Sequence, residues 1–69
     1  MEWAELLKIM TMEEETAKAK YAMAAAMTDD PHMKEVFERL EYEEEIHADL
    51  LRNEYERWLK QKEKTEAAE

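Results

Sequence analysis

No cysteine and no glycine occur in this chain, and proline occurs once, at Pro31. The lack of cysteine excludes disulfides, thiolate zinc sites, rubredoxin-type iron and thiol chemistry. With no glycine and one proline, almost nothing in the sequence breaks a helix or permits a tight turn. No apolar run is long enough to span a bilayer, and no signal peptide is visible. Positive charge is also short: 10 Lys and Arg face 19 Asp and Glu, a formal charge of −9. That balance argues against nucleic acid and against anionic membrane surfaces as partners. It suits a protein that attracts cations, although plain solubility accounts for it equally. A cytoplasmic, reducing setting is the expectation. At 69 residues, the chain is expected to form a single domain over residues 1–69. A core of that size is marginal without help from a metal or from oligomerisation.

Good helix formers fill most positions: alanine, glutamate, lysine, leucine and methionine. The one break is "MTDDPH", residues 27–32. Asp29 and Asp30 are natural N-caps, and proline is favoured at the first helical position. The reading is all-α: helix 1 over about 2–27, a corner at 28–31, helix 2 over about 31–61, and a frayed tail "KEKTEAAE". Helices of ~40 Å joined by a tight corner form an antiparallel hairpin. A lone hairpin buries one side of each helix, so two chains are expected to dimerise into a four-helix bundle.

Alternating steps of four and three along helix 1 pick out Trp3, Leu7, Met10, Glu14, Ala17, Tyr21 and Ala24. This is a core-facing stripe with one glutamate in it. In helix 2 the same walk gives Met33, Phe37, Leu40, Glu44, His47, Leu51 and Trp58, with Glu54 or Tyr55 between the last two, and the interruption there is Glu44 with His47. Glu14 lies about as far before the corner as Glu44 and His47 lie after it. Simple antiparallel registry therefore brings all three to one height. Ionisable groups on an apolar seam are costly unless paired or bound to metal. Two carboxylates facing each other repel, and a cation relieves both.

One chain offers two glutamates and one histidine; two chains offer twice that set. This is the donor set of ferritin-like di-iron and di-manganese sites, with a lone Glu on two helices and Glu-x-x-His on the other two. Oxygen-rich donors with imidazole favour iron, or manganese, over a thiolate-loving metal. His47 is expected to cap one metal, while Glu14 and Glu44 share the bridging and chelating roles in either order. With 19 acidic residues, an isolated Glu-x-x-His is weak, and a surface ion pair or a satisfied core histidine is the plain alternative. The conjunction of motif, seam position and matched heights carries the case. His32 falls off the seam and is expected in solvent. So are Glu15, Glu38, Glu43 and Glu45, while Glu13 and Glu41 are the nearest candidates for an inward path for cations. The methionines read as core filler. Trp3 and Trp58 fall at the open end, where they are expected to pack together or form a subunit contact.

"EEETAKAKY" (13–21), the Pro31 corner, Phe37 and "EEEIHADLL" (43–51) resemble the rubrerythrin-like branch of the ferritin superfamily. The half-length hairpin is similar to the encapsulated ferritins, whose protomer completes its site by dimerising. In that pattern Glu14 takes the place of the first-helix ligand, Tyr21 matches a tyrosine seven residues on, and Glu44 and His47 match the second-helix ligands. The resemblance covers roughly residues 10–55. It implies a ferroxidase that oxidises Fe(II) to Fe(III) with dioxygen or peroxide at a di-iron site between two protomers, for iron storage or detoxification. It also implies an obligate homodimer, a higher ring such as a decamer, and work inside an encapsulin nanocompartment. The chain departs from the pattern at Thr16, where a further acidic residue is expected, and in "KTEAAE", which is unlike a shell-docking peptide. Two rival functions follow from the same residues. One is a rubrerythrin-like peroxidase, which would need an external electron donor; the other is a non-enzymatic acidic helical dimerisation module.

Overall fold

The computed structural model describes residues 2–68. They form two helices, α1 (Trp3–Met27) and α2 (Pro31–Ala68), of 25 and 38 residues. α1 ends where Thr28 turns extended at φ −83° and ψ 141°, its N–H still donating to the Ala24 carbonyl at 3.1 Å. Of the two expected caps, Asp30 performs the role. Its Oδ1 accepts the backbone N–H of His32 at 2.9 Å and of Met33 at 3.3 Å, satisfying donors that the first turn leaves free. Pro31 then occupies the first helical position, where a missing N–H costs nothing. No described residue has a positive φ, so this corner has no need of glycine.

One boundary differs from the sequence reading. α2 does not end near residue 61 but continues to Ala68. Gln61, Lys62, Glu63, Lys64 and the final alanines are good helix formers, and neither proline nor glycine is there to stop them. Residue 69 lies outside the described residues.

The two helices run antiparallel. Ion pairs cross between them at three heights: Glu2 to Lys62 at 3.9 Å, Glu15 to Arg52, and Lys18 to Glu45 at 3.6 Å. Rising numbers on α1 meet falling numbers on α2, which is hairpin register. Ala25 and Ala48 are the buried apolar residues among those described, and their small side chains let the backbones approach closely. Leu7, Phe37, Leu51 and Tyr55 are half-buried.

The hairpin measures 59 × 15 × 14 Å, with a radius of gyration of 16.6 Å. A compact chain of this length would have a radius near ~11 Å. Two helices side by side make a single layer, and a single layer covers only one stripe of each helix. The expected seam is therefore half closed. Its α2-facing edge is covered, while Trp3, Met10 and Met33 stand open to solvent. At 100° per residue, these open residues fall on one broad side of the hairpin, and Glu15, Lys18, Glu45 and Arg52 fall on the other. Among the described residues, no helix is long and apolar enough to cross a membrane.

Candidate metal centre

Glu14 sits at the middle of α1; Glu44 and His47 sit one turn apart in the first half of α2. Residues three apart on a helix point the same way, and the Asp30–Pro31 corner sets the register that brings Glu14 to their level. One donor atom from each of the three lies within 4.8 Å of the others. His47 Nδ1 is 3.6 Å from Glu14 Oε2 and 4.0 Å from Glu44 Oε2.

Both distances are too long for hydrogen bonds. They do match donors arranged about a shared ion. Two atoms each bound at ~2.1 Å, the bond length of small divalent ions, stand ~3.0 Å apart at a right angle and ~4.2 Å apart when opposed. The chemistry of the set points the same way: hard carboxylate oxygens and one imidazole nitrogen, with no sulfur, fit iron or manganese. The ring atom turned toward both carboxylates is Nδ1, which leaves Nε2 on the outer side of the ring.

Burial grades across the cluster. The Glu44 side chain is 18% exposed, Glu14 29% and His47 52%. The cluster therefore lies at the lip of the helix pair, on the open apolar side, with His47 projecting furthest. Three donors fill only part of an ion's coordination shell, and the set opens toward the face that the single layer leaves uncovered.

The other sequence candidates fall elsewhere. Glu13, Glu15, Glu38, Glu43 and Glu45 are exposed, and Glu41 is half-buried. Glu43 pairs with Arg39 at 3.2 Å within α2. His32 is exposed beside the corner, as expected. Tyr21 is half-buried two turns along from Glu14. Trp58 is half-buried with its Nε1 enclosed and without an acceptor, while Trp3 is largely exposed. Sequence reasoning missed the Glu15–Arg52 and Lys18–Glu45 pairs, which close the side of the hairpin away from the cluster. The registry that located Glu14 could have found them, since opposite charges lie at similar distances from the corner.

No known protein family matches this chain, and no curated protein or solved structure is significantly similar to it.

Proposed function

We propose that this protein is a ferroxidase: two copies join through their open apolar faces, pool Glu14, Glu44 and His47 from each, and oxidise Fe(II) to Fe(III). One observation carries the reading. Glu14, on a different helix, meets the Glu44–His47 pair within 4.8 Å, and it does so on the side where apolar residues are left open. The likeness to half-length ferritin protomers supports it, as do the oxygen-rich donors.

The residues divide the work by position. Glu44, the most covered of the three, is the carboxylate best placed to lie between two ions. Glu14 would reach the ions from the facing helix, and His47 Nδ1 would hold one of them. Half-buried Leu40 and Leu51 lie one turn before Glu44 and one turn after His47 on α2, so the proposed pairing would cover them together with the cluster. Carboxylates can shift between bridging and terminal binding, so one set of side chains holds the metal before and after its charge changes. Fe(II) is the substrate, and the bound pair supplies the electrons that reduce dioxygen or peroxide.

Metal analysis, native mass and aerobic Fe(II) oxidation on the same sample test this. The expected result is two irons per two chains and many irons oxidised per site, both lost in E14A, E44A and H47A. Equal oxidation by the parent and by the E14A/E44A/H47A variant would overturn it. The bare apolar side also fits a dimerisation module without chemistry. In that case E14L/E44L/H47L would remain dimeric and gain stability, and the parent would take up no metal.

A further inference from the structure

α1 is apolar on two sides. One is the seam with Leu7, Glu14 and Ala25. The other, half a turn away, carries Ile9, Met12, Thr16, Ala19, Met23 and Met27. These six recur at spacings of three and four, so they form a second stripe along the helix. It is open: Ile9 is 52% exposed, Met12 58%, Met23 63% and Met27 75%. The proposed four-helix pairing does not cover it. In such a bundle each helix turns its seam inward and the opposite face outward, and that outward face is normally polar. A helix that is apolar on both sides is a helix buried on both sides.

We infer that this outer face of α1 pairs with the same face of a second copy, antiparallel, so that each chain carries two self-complementary interfaces. Three features select that occupant. The middle of the stripe is Thr16 and Ala19, small enough for two helices to approach closely. Along one edge of the stripe run Glu13 and Lys20, seven residues apart, in a shallow groove that Ile9, Met12 and Thr16 line on one side and Ala17 and Tyr21 on the other. An antiparallel twofold centred between them sets Glu13 of one copy beside Lys20 of the other, twice; a parallel twofold would carry the two edges to opposite sides of the contact and lose both pairs. Finally, a chain of net charge −9 repels its copies over most of its surface, whereas this edge balances itself.

Two different twofold interfaces on one chain can build only even-numbered assemblies beyond the dimer. The outer contact rests on the proposed function only for the first pairing, and the two separate by experiment. Native mass is measured for the parent, M12D/M23D, E13K, K20E and E13K/K20E, with helix content by circular dichroism as the folding control. Both methionines are exposed, so M12D/M23D is expected to fold. The parent should form an even assembly of four or more copies, and M12D/M23D should stop at two while keeping its iron oxidation per chain. E13K and K20E should each weaken assembly by about tenfold, and E13K/K20E should restore it. A parent that stops at one or two copies overturns the inference, as does an M12D/M23D mass equal to the parent's. A charge swap that stays dissociated overturns the antiparallel arrangement. Loss of assembly in M12D/M23D without any iron oxidation in the parent would uphold this interface and sink the ferroxidase reading.

Discussion

Glu44 is the residue on which stability and chemistry conflict. Its carboxylate is the most covered of the three donors and faces that of Glu14 across the hairpin, with His47 Nδ1 4.0 Å away. Among the described residues no side-chain hydrogen bond to Glu44 offsets that burial, and His47 Nδ1 stands too far off to donate one. Leucine at this position would extend the apolar seam. Glu44→Leu is therefore expected to raise the metal-free melting temperature by several degrees, the shift that ~1 kcal/mol produces in a chain this small. Added Fe(II) or Mn(II) is expected to raise the melting temperature of the parent and to leave that of Glu44→Leu unchanged. Thermal melts of both proteins, with chelator and with metal, check the two halves together. A Glu44→Leu protein that melts lower and still responds to metal would show that this carboxylate has a purely structural partner. Asp30 shows the opposite case, a charged residue whose whole role is local. Its oxygen caps two backbone donors at the corner, and it takes no part in the Glu14–Glu44–His47 cluster.

At the level of the helices, close approach and ion pairing contribute unequally. Ala48 is enclosed where α2 meets α1, and a larger side chain there has nowhere to go without pushing the helices apart. Ala48→Leu is expected to cost ~1–3 kcal/mol and to separate Glu14 from His47, lowering metal affinity although it changes no ligand. Arg52→Ala removes the link to Glu15 and Asp49, but that network is exposed. Its loss should cost under ~1 kcal/mol. Chemical denaturation ranks the two, and equal costs would mean that charge rather than packing holds the helices in register. The continuation of α2 to Ala68 belongs to this scale too. Terminal residues with high helix propensity follow the helix that precedes them, whatever their charge.

For the whole molecule, shape is the decisive property. A single layer 59 Å long and about 15 Å across leaves many apolar side chains in solvent, among them Trp3, Ile9, Met12, Tyr42 and Leu50. The proposed pairing of copies would cover part of that surface and make the folding equilibrium depend on concentration. The melting temperature is expected to rise with protein concentration and to fall when chelator removes bound metal. Scanning calorimetry over a hundredfold dilution series checks this, and a melting temperature independent of concentration would mean that the lone hairpin stands by itself.

Much of this was legible in the residues. Helix-forming composition, the Asp30–Pro31 corner and the spacing of the seam settled two antiparallel helices. Registry about that corner also placed Glu14 level with Glu44 and His47, because rise per residue is constant in a helix and a tight corner leaves little slack. What periodicity could not supply was which side of each stripe is covered. Helix spacing marks where apolar residues lie, not how many neighbours are there to bury them. Only the packed pair showed that Ala25 and Ala48 take the contact, that ion pairs close one side, and that the donor cluster sits at the lip of the other. Those outcomes depend on the distance and angle between two helices, which are set by side-chain volumes meeting across the gap rather than by the order of residues along either helix.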